Sequence, residues 1–307
     1  MAMELRHLRY IIAVAEEGHI TRAAERLGIA QPPLSRAIRA VERDIKAQLF
    51  RRLSRGVELT AAGRALVDSA RATFASLDRG LESAQRAARG EEGQISVAFT
   101  SSSAFHPLVP LVIREFREAF PRVAVTFSQG NASDLIESVE SNRLDGIFSW
   151  LSIVKLEGVL FYPLLVEPMV VALPEGHALA RVQTRAVPLK RLSEETFVVN
   201  RQPGPVEAIR DDIFAACRAA GFRPRIGQEA PNVIATLPFV AGGIGISIVP
   251  ACLQHMTIQG VVYKPLMGSP QPKVPLSFAS RRHDTSPVVR QFVSLVRRRA
   301  KEIAGKR

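Results

Sequence analysis

The segment from Leu34 to Ile45 constrains this chain more than any other, because a helix there is apolar along one edge and cationic along the opposite one. At 100° per residue, with Leu34 at zero, Ile38, Val41 and Ile45 fall at about 40°, 340° and 20°, one narrow stripe. Pro32, Ser35, Arg36, Arg39 and Arg43 fall between about 100° and 200° on the same wheel. A helix that only filled a core has no use for so many cations on its far side. Upstream, Leu5, Leu8, Ile12 and Ala15 follow helical spacing up to a stop at Gly18. Thr21 offers an N-cap for a short second helix with Ala23, Ala24 and Leu27 inside, and Gly28 supplies its left-handed end. Pro32 and Pro33 suit the first turn of the third helix, where no intrahelical N–H is missed. Two helices joined by a turn of about four residues have the dimensions of a helix-turn-helix. Leu49-Phe50, a turn at Ser54-Arg55-Gly56 and the alternation Val57-Glu58-Leu59 then predict a small hairpin beside Arg51, Arg52 and Arg55.

Charge is distributed to match. Of the formal net charge of +12, residues 34–56 carry +5 and residues 281–307 carry +7, which leaves the rest of the chain neutral. A localised basic patch is the footprint of a polyanion, and on a helix-turn-helix that polyanion is duplex DNA. Residues early in the third helix would reach base edges while later arginines meet phosphate. Gln31, Pro32, Pro33, Ser35 and Arg36 are therefore expected at bases or nearby sugar-phosphate, with Arg39, Arg43, Arg52 and Arg55 on phosphate. The basic C-terminal run reads most simply as a solvated face.

Thr60 is a good N-cap for a helix running to about Arg89, ahead of Gly90 and Gly93. Leu66, Ala70, Phe74, Leu77, Leu81, Ala84 and Ala88 make a near-heptad seam along it, which favours dimerisation over packing on its own domain. Beyond it, strand and helix alternate. Gln94–Phe99, Val123–Phe127 and Gly146–Trp150 are expected strands, with helices over Pro107–Phe120 and Ser133–Asn142. After a stretch interrupted by Pro163, Pro168, Pro174 and Pro188 a matching series begins. It has strands at Phe197–Val199, Arg223–Gln228 and Ile244–Val249 and helices at Val206–Ala220 and Asn232–Ala241. A second crossing near Val261–Pro265 would return the chain to a strand at Val274–Phe278 and a final helix from about Pro287 to Ile303. Two α/β lobes with parallel sheets would leave a cleft between them.

The stretches Ile20-Thr21-Arg22-Ala23-Ala24-Glu25-Arg26-Leu27, Gln31-Pro32-Pro33-Leu34-Ser35-Arg36, Leu49-Phe50-Arg51-Arg52 and Leu59-Thr60-Ala61-Ala62-Gly63 together resemble a LysR-type transcriptional regulator. The resemblance covers essentially the whole chain. It implies an α/β protein with an N-terminal winged helix-turn-helix (residues 1–60), a long linker helix (61–90) and a two-lobed periplasmic-binding-protein-like effector domain (91–307). Lobe I is expected over 94–163 and 267–307, and lobe II over 164–266. It also implies a homodimer often paired into a tetramer, acting on double-stranded promoter DNA, with RNA polymerase a further partner. Two positions depart from the family pattern. Ala30 stands where Ser often caps the recognition helix, and Lys46 where Gly usually ends it, so that this helix could end differently or run on toward Leu49.

In open parallel sheets ligands sit beyond the carboxyl ends of the strands. That expectation selects Thr100, Ser101, Ser102, Ser103 and Asn131 from the first lobe, Asn200, Arg201 and Pro203 from the second, and Trp150, the sole tryptophan, at a strand end. Hydroxyls, open backbone N–H groups and Arg201 suit a small organic anion, with some leaning toward aromatic acids or their ring-cleavage products. An enzyme is disfavoured: HExxH, Gly-x-Ser-x-Gly, Walker and Cys-x-x-Cys patterns are absent, and the six histidines have no metal-like partner at i+3 or i+4. No cofactor or metal is expected. Gly242-Gly243-Ile244-Gly245 precedes a strand, so it reads as a tight turn and not as a dinucleotide loop. Cys217 and Cys252 read as core residues in a reducing compartment, with a redox-responsive regulator or a plain small-molecule-binding protein as the alternatives. Apolar runs such as Val159–Val171 are too short or too interrupted to span a membrane, and residues 1–10 do not read as a secretory signal, so a cytoplasmic protein is expected.

Overall fold

The structure, a computed structural model, describes residues 3–150, 156–201, 209–268 and 271–305. It divides into two compact units, residues 1–85 and 86–307.

The N-terminal unit begins with α1 (Leu5–Glu17), α2 (Ile20–Leu27) and α3 (Gln31–Ile45). The buried face of α1 is Leu8, Ile11 and Val14, and Leu5 is exposed. Tyr10 to Ala15 are almost all apolar, so the periodicity allows more than one inward face and packing selects between them. The cap of α2 is His19, whose Nδ1 accepts the Thr21 N–H at 3.3 Å, so the helix starts before the expected Thr21. Gly18 and Gly28 both close their helices at positive φ, 61° and 66°. On α3, Leu34, Ile38 and Val41 are buried as the stripe requires, but Ile45 at its end is exposed. Ala30 makes no side-chain cap, and Pro stands in the first turn.

The Lys46 departure does not extend α3. Lys46 itself takes the left-handed conformation (φ 55°), and its N–H reaches the Glu42 and Arg43 carbonyls. A side chain strains that conformation, so Lys46→Gly is expected to raise stability by about 0.5–1 kcal/mol, read as a higher urea midpoint at unchanged slope.

The hairpin pairs β1 (Phe50–Arg52) with β2 (Val57–Leu59). Three hydrogen bonds fix its position. Glu42 accepts the Leu49 and Phe50 N–H groups at 2.8 and 3.3 Å, and Val57 N–H donates to the Gly18 carbonyl at 2.8 Å. Next comes α4 (Ala61–Arg89), capped as expected by Thr60, whose Oγ1 accepts the Gly63 N–H at 2.9 Å. Gly63 is required there, because an added Cβ would overlap the Leu49 carbonyl oxygen. Val67 and Ala70 are buried, and Arg71 and Arg26 both bond Glu16. Those hydrogen bonds, Arg71's first, hold the Glu16 carboxyl below its ordinary range. Farther along the seam the apolar side chains are uncovered: Leu77 is 39% and Leu81 57% exposed.

The C-terminal unit is built on β3 (Glu92–Phe99), α5 (Leu108–Ala119), β4 (Arg122–Gln129), α6 (Ala132–Glu140), β5 (Gly146–Ser149) and the long β6 (Val159–Pro174). There follow α7 (Ala178–Arg181), β7 (Val187–Pro188), β8 (Thr196–Asn200), α8 (Ile209–Ala219), β9 (Arg225–Ala230), α9 (Thr236–Ala241) and β10 (Ser247–Pro250). The chain finishes with β11 (Val261–Met267), β12 (Lys273–Arg281) and α10 (Pro287–Ala304). Among the described residues the main sheet has the order β4-β3-β5-β12-β6-β11-β7, with β10 also against β6. The pairs β3–β4, β3–β5 and β8–β9 are parallel, whereas β12 is antiparallel to β5 and β6, so the sheet is mixed and not wholly parallel.

From Pro163 to Pro174 the proline-rich stretch is one continuous strand, and Pro188 lies on β7. β6 pairs with β12 from Val159 to Pro168 and with β10 and β11 beyond, so it serves both lobes. Proline lacks a ladder donor and is tolerated at bulges. Pro163 sits at such a place: the register shifts between Leu276 and Ser277, leaving Leu164 as the extra residue where β6 bends. The second crossing also lies later than expected, since β11 pairs with β6 and β7 inside the second lobe and the return comes with β12. The helix expected from Asn232 begins only at Thr236, and residues 206–208 of the one expected from Val206 lie outside the described residues. The glycine run is a tight turn as expected: Gly243 has φ +75°, and a Cβ on Gly245 would overlap the Thr196 carbonyl oxygen.

Candidate nucleic-acid interface and effector site

Arg36, Arg39, Arg43, Arg52 and Arg55 are all exposed, and none has an acidic or hydrogen-bonding side-chain partner among the described residues. Their neighbours differ. Arg51 spends its guanidinium on Glu58 across the hairpin, Nε to Oε2 at 2.8 Å, where the register sets the two opposite. The structure thus separates arginines that hold the hairpin together from arginines free to meet phosphate. Gln31, Pro32 and Pro33 are exposed at the start of α3. Ser35 is not: it is 6% exposed, and its Oγ accepts from Gln31 Nε2 at 3.3 Å. Its wheel angle put it at the margin of the polar face, and packing takes it inward, so its role is to orient the Gln31 amide. Sequence reasoning passed over Arg22, exposed in the first turn of α2 and likewise without a partner among the described residues. It lies within the stretch that carries the resemblance, where Thr21 is read as a cap and Ala23, Ala24 and Leu27 as the inner side.

In the C-terminal unit the ends of the parallel strands gather the expected polar residues. Phe99 pairs with Gln129 and with Phe148, so the turns after β3, β4 and β5 lie side by side. Most of their hydroxyls are already engaged. Ser103 Oγ donates to the Phe148 carbonyl at 2.8 Å, and Thr100 Oγ1 bonds Ser103 Oγ at 3.2 Å. Ser102 Oγ accepts the Trp150 indole N–H at 2.9 Å, and Asn131 caps α6 through Asp134. Thr100, Ser102, Ser103 and Trp150 are buried and frame the turn. Ser101 remains half-buried with no side-chain partner among the described residues. On the other lobe Asn200 is buried, and Arg201 is exposed with its N–H on the Ala230 carbonyl at 2.7 Å. Pro203 lies outside the described residues.

A buried pair that sequence spacing could not reveal lies beside this turn. His106, 1% exposed, accepts the Leu108 N–H on Nδ1 at 3.2 Å, so in the neutral ring the proton is on Nε2. That Nε2 faces Glu167 of β6 at 3.7 Å, and the ring meets Trp150 edge-on.

The two cysteines are free and buried. Burial pushes the Cys217 thiol up to about 11 and, with the Glu167 charge adding to it, the Cys252 thiol up to about 12, from an ordinary 9.0. At neutral pH both are unreactive thiols, as expected of core cysteines and against a redox switch. Because both pKa values are raised in the folded chain, this contribution to stability is complete below pH 9 and is lost as the pH climbs toward 11 to 12. A disulfide reagent is therefore expected to label neither thiol at pH 7.5 until urea unfolds the chain, and the urea midpoint is expected to fall between pH 8 and 10.

Comparison with known proteins fits both units. A family model described as "Bacterial regulatory helix-turn-helix protein, lysR family" matches residues 5–64, and one described as "LysR substrate binding domain" matches residues 88–301. The regulator BudR of Raoultella terrigena is 33% identical over 293 residues, covering 95% of this chain and all of BudR. AlsR of Bacillus subtilis (strain 168) is 33% identical over 304 residues, covering 95% of each chain. Among solved structures, full-length CbnR complexed with its target DNA superposes with a TM-score of 0.84 at 29% identity, covering 97% of this chain and all of CbnR. These relatives are regulators and not enzymes. On the strength of both matched domains, this chain belongs to the LysR family of transcriptional regulators.

Proposed function

We propose that this regulator binds promoter DNA as a homo-oligomer and that a small organic anion, held between the lobes of its C-terminal unit, shifts its DNA-bound arrangement. The observation that carries the DNA half is the set of five unneutralised arginines on α3 and the hairpin. Arg36, with Gln31 and the two prolines, reads bases; Arg39, Arg43, Arg52 and Arg55 contact phosphate. The uncovered Leu77 and Leu81 support pairing through α4, since a solitary helix gains nothing from an apolar seam in water. Such pairing sets two recognition helices about one duplex turn apart.

For the effector, Ser101 and Arg201 are the groups left open to a carboxylate, with Thr100, Ser102, Ser103, Asn131, Trp150 and Asn200 as the frame around them. An aromatic acid or its ring-cleavage product is the class proposed. The ligand acts only through its differential affinity for two arrangements. Trp150, the sole tryptophan, gives the assay. Titration with benzoate, cis,cis-muconate and acetate is expected to change its emission for one aromatic-derived acid, and Arg201→Ala to abolish that change while promoter binding persists. No emission change and no altered footprint with any acid would overturn the effector half. A gel shift without preference for the chain's own promoter over random duplex would overturn the DNA half.

A further inference from the structure

Most of the described bases near the C-terminus are exposed, as a solvated face requires, and several of them gather at one groove. Arg290, Arg297, Arg298 and Lys301 stand at i, i+7, i+8 and i+11 on α10 and line one side of a groove of about 780 Å³, which Arg282 after β12 borders from the other element. At 1.5 Å per residue they extend over about 16 Å. Half-buried Tyr162 also lines it, among the aliphatic stems of the arginines, while Val289 and Val293 beneath are buried.

Two acids reach this groove, and both are engaged. Asp284 bonds Arg281, and Glu302 pairs with Arg299. Arg282, Arg298 and Lys301 have no side-chain partner among the described residues. Arg297 lies over the Tyr162 ring at 5.5 Å, and Arg290 donates only to the Thr285 carbonyl. Some arginines of the unit are matched, among them Arg299 with Glu115 at 2.6 Å, Arg281 at the edge of the groove with Asp145 at 2.7 Å, and Arg210 with Glu229 at 2.9 Å. Like charges one helical turn apart repel, so an unmatched row such as Arg297–Lys301 costs stability in the free protein.

We propose that this groove docks an acidic polypeptide segment of a partner protein, its carboxylates on the α10 cations and its apolar side chains on Tyr162 and the aliphatic stems of the arginines. The chemistry favours that occupant. A row of cations about 16 Å long exceeds the reach of one small anion. Guanidinium groups match carboxylates and phosphates alike, but a phosphodiester backbone has no apolar side chains to set on Tyr162.

The test uses the full chain and a fluorescein-labelled peptide alternating Glu and Leu, followed by anisotropy at low and moderate salt. Binding that weakens with salt is expected, and the exposed double variant Arg298→Ser/Lys301→Ser should weaken it at least tenfold while promoter binding in a gel shift stays unchanged. The same peptide with Lys for Glu should not bind. Absence of binding, or equal binding by the variant, overturns the proposal. Displacement by sodium triphosphate at equal concentration would assign the groove to small anions, and displacement by random duplex that the double variant abolishes would assign it to nucleic acid; either outcome also overturns it.

Discussion

Arg36→Ala is expected to weaken specific promoter binding by about 1–3 kcal/mol and to do so unevenly, with the largest loss on the operator and the smallest on variants altered at one base pair. The reason is positional. Arg36 is exposed one turn into α3, near a Gln31 amide bonded to Ser35, and the proposed reading sets its fork on a base edge. Arg52→Ala should behave differently. It lies on β1 and not on α3, and should weaken all duplexes evenly while flattening the plot of log affinity against log salt by about one unit. A triple variant at Arg39, Arg43 and Arg52 should flatten that slope by nearly three, because none of the three has an acidic partner among the described residues. Substituting Arg51 is the control: its charge is met by Glu58, so its loss should disturb the hairpin more than the salt slope. If Arg52→Ala relaxed sequence preference and Arg36→Ala acted evenly, the assignment of base and backbone contacts would have to be exchanged.

The exposure of Arg36, Arg39 and Arg43 was legible in the residue order because helical periodicity places a side chain to within about one face. It goes no further. Ser35 was expected among exposed hydrogen-bonders and is buried, since a position at the margin of two faces is decided by what packs there. The inward face of α1 was misjudged for the same reason, and the cap of α2 moved from Thr21 to His19 because an imidazole nitrogen can accept as a hydroxyl does. The strand–helix alternation located most of the elements, yet Pro163 and Pro168 were read as an interruption when a bulge at Leu164 lets them lie inside β6. In the turns after β3, β4 and β5 the expected polar residues do gather, but most of their hydroxyls are engaged within the unit. Whether Ser103 Oγ is open to a ligand or bonded to the Phe148 carbonyl depends on a neighbouring strand, which local sequence does not encode. His106 and Glu167 are far apart in the chain, and only the fold brings them to 3.7 Å.

Trp150 provides the second large effect. It is 1% exposed at the end of β5, and its indole N–H donates to Ser102 Oγ, tying that strand end to the serine turn. Trp150→Ala removes a large buried side chain and is expected to cost about 3–5 kcal/mol, read from far-ultraviolet dichroism during urea unfolding because the emission probe is lost with it. Trp150→Phe keeps most of the apolar volume but not the donor, leaving Ser102 Oγ buried beside a ring edge; a loss of about 1–3 kcal/mol follows. Ser102→Ala leaves the indole N–H unpaired and should cost a similar amount. The double variant separates packing from hydrogen bonding. If the bond is what links the strand to the turn, the double variant should be no less stable than Trp150→Phe alone, because neither partner then remains buried without the other. Strict additivity of the two single losses would show instead that Trp150 and Ser102 act independently, and the serine turn would then owe its shape to Ser103 and the Phe148 carbonyl alone.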